Sequence, residues 1–232
     1  MYAGKKVGIV IPAAGSGIRL GGGIAKQFLD VLGKPILART LEQFEQHPAI
    51  DCIAIAGSPD GVDTIRDIVQ SLGCKKVQWI GLGGTYRQDS VWNALQELQL
   101  SSVELVLIHD AVRPFVTTEI IDRVLHASVT TGAALAGVRT KDTIKVTDEH
   151  NIVTSTPRRE SLWQAQTPQG FRMDLLIHAF RSAQEANVIG TDDASLVERL
   201  GVPVTMVEGS YENIKITTQE DLASANLIAS KK

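Results

Sequence analysis

The chain has only two cysteines in its 232 residues, Cys52 inside an apolar run and Cys74 in an expected loop. That usage suits a reducing compartment and argues against a disulfide framework. No run reaches the roughly 18 consecutive apolar residues of a membrane span. The apolar stretch between Lys6 and Pro12 is also shorter than the roughly 7–15 residues of a signal-peptide core, so a cytoplasmic protein is expected. Neither sign of charge dominates: 23 Lys and Arg face 26 Asp and Glu, a net charge of −3. A surface built wholly for nucleic acid or anionic membrane is therefore excluded, and any polyanion site must be local. The five histidines, at 47, 109, 126, 150 and 178, show no metal-ligand spacing, which argues against a zinc site. No G-x-S-x-G frame surrounds a serine, which argues against a hydrolase elbow.

What is present suffices for one sizeable core, with 44% of residues hydrophobic. Short β-branched runs at 7–12, 52–57, 76–81, 104–110 and 133–138 alternate with amphipathic patterns at 34–47, 59–72, 87–99 and 117–131. That alternation predicts an α/β fold with a mostly parallel sheet and helices on both faces. Pro35 fits a first helical turn, and Thr117-Thr-Glu119 supplies capping-type residues. Residues 143–156 alternate apolar and polar around Glu149-His-Asn151 and read as an antiparallel hairpin, an arm rather than core. Helices at 173–187, 191–200 and 218–230 and strands at 202–209 and 213–217 complete the reading, with no repeat or linker.

The segment from Val10 to Phe28, VIPAAGSGIRLGGGIAKQF, places five glycines and two cations directly after a strand. Gly15 and Gly17 have only Ala13, Ala14 and Ser16 around them, so backbone N–H groups can approach a phosphate without intervening side chains. Arg19 and Lys26 add neutralising charge. The segment is not a Walker A loop, because Gln27 follows Lys26, nor a dinucleotide fingerprint, because Leu20 stands where a third Gly or Ala belongs. A plain surface loop remains the alternative. Further on, Asp110 ends an apolar strand, where a carboxylate can hold Mg²⁺ or simply cap the next element, and Arg113 precedes Pro114. Gly83 and Gly84 lead to Arg87 and Ser90 at a helix start, suited to a base or ribose or to an ordinary helix entry. Lys141, Lys145, Arg158 and Arg159 form a cationic group around Thr143 that suits a phosphate monoester or a solvated arm, and Lys215 follows Glu212 on an apolar stretch.

Taken together, IPAAGSGIRL, KQF, GKPIL, GGTYRQDS, HDAVRPF, KDTIK, SLWQAQTPQGF, GTDDASLVE and ENIKITT resemble, in one order over nearly the whole chain, the 2-C-methyl-D-erythritol 4-phosphate cytidylyltransferases. The resemblance implies a Rossmann-like nucleotidyltransferase fold, one domain spanning 1–232, with 140–159 as a β-arm used in homodimerisation. It implies transfer of CMP from CTP, with Mg²⁺ on Asp110 and catalytic roles for Arg19, Lys26 and Lys215. Pro12, Ala13, Ala14, Gly15, Gly17, Gly84, Arg87, Ser90, Ala111 and Arg113 would serve the nucleotide. Thr143, Arg159, Thr167 and Lys215 would serve the methylerythritol phosphate, Arg159 reaching across from a partner subunit. Three positions depart from the family pattern: Ala25 stands for a usual Pro, Thr85 for a frequent acid and Glu212 for a frequent Asp. A ribitol 5-phosphate cytidylyltransferase and a non-catalytic nucleotide-binding module are the alternatives.

Overall fold

The computed structural model describes residues 1–15 and 24–231. From the N-terminus, β1 (Val7–Ala13) leads through a small hairpin, β2 (Asp30–Val31) and β3 (Lys34–Pro35), into α1 (Ile36–Gln46). Three strand–helix units follow: β4 (Cys52–Gly57) with α2 (Val62–Leu72), β5 (Val77–Leu82) with α3 (Arg87–Leu100), and β6 (Leu105–Ile108) with α4 (Thr118–Thr131). Next come β7 (Ala133–Arg139), the short pair β8 (Val146–Thr147) and β9 (Val153–Ser155), and β10 (Trp163–Arg172). The chain closes with α5 (Met173–Glu185), α6 (Asp193–Glu198), β11 (Thr205–Glu208) and α7 (Gln219–Ala229).

Seven strands form one sheet in the order β11-β7-β10-β6-β1-β4-β5, in which β10 alone runs antiparallel to its neighbours. Alternate residues of each central strand enter opposite cores. Ile9, Ile11, Ile53, Ile55, Leu105 and Leu107 pack with α1, α2 and α4, whereas Val10, Ala54, Val106 and Ile108 pack with α3, α5 and α6. Burial on both faces explains why these strands read as unbroken apolar runs. A smaller cluster joins Ile36, Val112, Phe115 and Ile216 to Ala225 of α7. Two helix starts are capped as their sequences suggest: Asp192 accepts the Ser195 N–H at 2.9 Å, and Thr218 accepts that of Asp221 at 3.2 Å.

Four expectations need correction. Residues 213–217 are an extended segment, not a strand; Ile216 donates its N–H to the Val112 carbonyl at 3.0 Å, but no ladder forms. Pro35 precedes α1 with ψ 141°, outside the helix. Thr117 occupies the α4 cap without a side-chain capping bond. The ten-residue strand β10 was not expected at all, because WQAQTPQGF interrupts its few apolar residues with Gln, Pro and Gly. The arm pair β8–β9 is antiparallel, with all residues of both strands exposed.

Leu107 is wholly buried on the central strand β6. Leu107→Ala is expected to lower stability by about 2–5 kcal/mol, read as a fall in urea midpoint with the slope preserved.

Candidate active site

Strand order reverses between β1 and β6, so their carboxyl ends part and leave a crevice where open α/β sheets bind ligands. A cavity of about 200 Å³ opens there. Pro12 and Ala13 line it from the end of β1, Ala14 and Gly15 just beyond, and Lys26 and Gln27 further on. Gly84, Arg87 and Ser90 contribute from the α3 entry, and Asp110, Ala111 and Lys215 complete it. Gly17 and Arg19 lie outside the described residues.

Local contacts explain the shape of its walls. A Cβ on Gly83 would sit 2.5 Å from Ser90 Oγ and 2.6 Å from Ala14 Cβ, so only glycine lets the α3 entry close on the loop after β1. The Ser90 hydroxyl accepts the Gly84 N–H at 3.1 Å and donates to the Tyr86 carbonyl at 3.2 Å, which shapes the loop from within. At Gly15 a Cβ would meet only Lys26 Cε, at 4.0 Å, so packing does not demand glycine there. Gln27 is buried and donates Nε2 to the Ala13 carbonyl at 2.7 Å, tying the Lys26 turn to the end of β1.

Asp110 is the electrostatic centre. Its Oδ1 lies 3.3 Å from Arg87 Nε, and its Oδ2 lies 3.2 Å from Arg113 Nε and 3.1 Å from Lys215 Nζ. Burial pushes its carboxyl up, but Arg87, Lys215 and Arg113 pull harder and hold it well below the usual carboxylate range. Arg87 also reaches Asp193 Oδ2 at 2.8 Å, and Arg113 donates to the Asn213 carbonyl at 2.9 Å. Three cations and two carboxylates are thus interlocked at one point.

Beneath Asp110 runs a neutral chain. The Asp110 N–H donates to Thr167 Oγ1 at 3.1 Å, Thr167 Oγ1 lies 3.1 Å from His109 Nδ1, and His109 Nε2 lies 3.0 Å from the Arg113 carbonyl. One tautomer satisfies all three contacts: Nε2–H donates to the carbonyl, and the threonine hydroxyl donates to Nδ1. Complete burial pushes His109 down to about 4, so the ring is neutral near pH 7.

A second cavity, of about 290 Å³, shares Arg87, Asp110 and Lys215 with the first. Its remaining lining includes Arg113, Gln166, Thr167, Gln169, Thr191 and Asp192. Gln166 to Pro168 fall where the register of β10 against β7 skips, between Ala165 and Gln169. Thr143 and Arg159 line neither cavity; both are exposed, and Arg159 donates to the Lys141 carbonyl at 3.1 Å. Glu212 is likewise exposed and outside both. Sequence reasoning did not single out His109, Gln166, Gln169, Asp193 or Asn213, although HDAVRPF, TPQGF, GTDDA and ENIKIT contain them.

Among the described residues, no group of three His, Cys, Asp or Glu side chains could hold a metal ion. Asp110 is the one carboxylate among them lining both cavities, which suits one ligand position of an ion whose other oxygens come from a bound phosphate chain. Nor does any helix among the described residues have the length and apolarity to cross a membrane.

A crevice at the switch point of a mostly parallel sheet, with cations gathered on one carboxylate, suits an anionic ligand such as a nucleotide. The family model described as "IspD: 2-C-methyl-D-erythritol 4-phosphate cytidylyltransferase" matches residues 7–231. A protein of that name from Lysinibacillus sphaericus is 45% identical over 97% of this chain and 96% of its own length. Another, from Bacillus mycoides, is 48% identical over 94% of this chain and 95% of its own. The crystal structure of 4-diphosphocytidyl-2C-methyl-D-erythritol synthase from Anaerococcus prevotii superposes with a TM-score of 0.88 at 33% identity, covering 98% of this chain and 97% of that one. The chain belongs to the 2-C-methyl-D-erythritol 4-phosphate cytidylyltransferase family.

His109 takes up a proton more readily when unfolded, near 6.5, than when folded, at about 4. Stability should therefore fall as pH drops through that window, by roughly 3 kcal/mol from this ring. His47 is also lowered by burial and acts in the same direction. The His109 share is the part of the pH-dependent change in urea midpoint that disappears in His109→Gln.

Proposed function

We propose that the protein transfers CMP from CTP to 2-C-methyl-D-erythritol 4-phosphate, giving 4-diphosphocytidyl-2-C-methyl-D-erythritol and pyrophosphate. The observation that carries the site assignment is the pair of cavities meeting at Arg87, Asp110 and Lys215. One has the backbone-lined wall and the Lys26 side chain suited to a triphosphate. The other combines Arg113 and Lys215 with the amides and hydroxyls of Gln166, Gln169 and Thr191, which suit a polyol phosphate.

The acceptor's phosphate oxygen attacks the α-phosphorus of CTP; a P–O bond forms there, and the bond to the bridging oxygen of the β-phosphate breaks. The phosphate is already ionised near neutral pH, so no side-chain nucleophile or base is required. The difficulty is repulsion, about 4 kcal/mol per pair of unit charges 4 Å apart at an effective dielectric of 20. Lys26 and Lys215, together with Arg19 of the glycine-rich sequence, supply counter-charge and orientation. Mg²⁺, held by Asp110 together with the nucleotide, would neutralise part of the triphosphate's charge. Gly84, Arg87 and Ser90 form the nucleoside side of the first cavity.

Thr143 and Arg159 reach the acceptor, in this proposal, from the arm of a second copy. Ile144, Val146, Ile152 and Val153 are exposed on residues 140–159, and a lone two-stranded hairpin is marginal in water. A homodimer with shared sites gives both facts one cause. Two unpaired cysteines support a cytoplasmic location.

Pyrophosphate release should require CTP, Mg²⁺ and methylerythritol phosphate together. Equal or faster turnover with ribitol 5-phosphate would transfer the assignment to that acceptor, and binding of CTP with no release under either would mark a non-catalytic module. Lys26→Ala and Lys215→Ala should each lower kcat by roughly 10²-fold in the same assay.

A further inference from the structure

The segment that carries Lys215 is tied down along its length. Gly209 donates its N–H to the Gly137 carbonyl at 2.7 Å, and Ile216 donates to that of Val112 at 3.0 Å. Between these anchors the Gln166 side chain donates to the Ser210 carbonyl at 2.8 Å and accepts from Asn213 Nδ2 at 3.2 Å. Asn213 is fully buried, donates also to the Thr167 carbonyl at 2.9 Å, and offers its own carbonyl to Arg113. Lys215 Nζ then meets Asp110. The segment thus runs from the edge of β7 to the carboxylate that gathers the cations.

Tyr211 departs from that inward-facing pattern. Its ring is 46% exposed, so it adds little to the core. Its hydroxyl donates to the Arg139 carbonyl at 2.6 Å, and the Lys141 ammonium lies 3.6 Å from its ring centroid. Arg139 ends β7 and Lys141 begins the arm. The returning stem is gathered at the same place: the Arg139 guanidinium covers the Trp163 ring at 4.0 Å and donates to the Glu160 carbonyl, and Arg159 donates to the Lys141 carbonyl. The outgoing stem of the arm therefore meets the Lys215 segment at one half-exposed aromatic ring, and the returning stem is held to that outgoing stem.

We propose that Tyr211 is a positioning residue: by fastening the base of the arm to the Lys215 segment, it sets where Lys215 and Arg113 present their charge to the acceptor. It touches neither cavity and acts through the two cations. A ring with a hydroxyl at its tip suits the task. The phenol fixes distance to the backbone carbonyl, while the face holds an ammonium without demanding one rotamer. The CTP side is walled by the loop after β1 and the α3 entry, which this linkage does not reach, so the effect falls on the acceptor.

The inference rests on the acceptor reaction proposed above, and the unmodified full-length enzyme, assayed in parallel, separates failure of that reaction from failure of this role. In Tyr211→Ala, kcat/KM for methylerythritol phosphate should drop about tenfold or more while KM for CTP stays within about twofold. Tyr211→Phe, which keeps the ring, should fall between Tyr211→Ala and the parent. Lys141→Met should weaken the acceptor term in the parent but add little in Tyr211→Ala, since both act through one contact. The proposal is overturned if CTP and acceptor terms fall together, if neither moves, or if the double variant shows the full product of the single effects.

Discussion

Asp110 is a buried carboxylate held ionised by Arg87, Arg113 and Lys215, and the arrangement of the site follows from that. Each cation comes from a different part of the chain: the start of α3, the turn after β6 and the segment before α7. Leaving such a charge buried without partners is strongly unfavourable, so folding draws these three segments to one point. The gathering of three cations at one place is therefore a by-product of satisfying one buried anion. Arg87, with Asp193 as its second partner, extends the same constraint to α6.

The neutral chain under Asp110 does complementary work. A charged histidine at position 109 would add a fourth cation beneath the carboxylate, whereas the neutral ring passes a directed chain of hydrogen bonds from the Asp110 N–H through the Thr167 hydroxyl to the Arg113 carbonyl. Orientation is conveyed without changing the local charge. Because Thr167 has one hydroxyl proton and that proton points to His109, any contact it makes with an acceptor draws on its remaining acceptor capacity or its backbone.

The doubly buried strands declared themselves in sequence through unbroken runs such as IVIP, CIAIAG and LVLI, and the helices between them through amphipathic spacing. Asp110, Lys26 and the α3 entry stood out because glycines and charges follow strand ends there, and the structure brings them to one cavity. β10 was not, since an antiparallel strand crossed by Gln, Pro and Gly carries neither period. Asp193 and Asn213 were invisible for a different reason: a buried Asp or Asn matters through partners distant in sequence, Arg87 for one and Arg113 and Gln166 for the other. Residues 213–217 misled because Ile214 and Ile216 alternate like a strand while packing under α7 rather than in a ladder.

The skipped register in β10 has its own consequence. On either side of Gln166 to Pro168 the strand is locked into its ladders, with Phe171 in the core, while Gln166 and Thr167 within the skip and Ala165 and Gln169 at its edges line the second cavity. One short stretch of strand thus serves both the sheet and the cavity wall. A side chain exchanged at Gln166 or Thr167 would therefore reshape the cavity and loosen the struts behind it at the same stroke, because Gln166 holds Ser210 and Asn213 while Thr167 holds His109 and the Asp110 backbone.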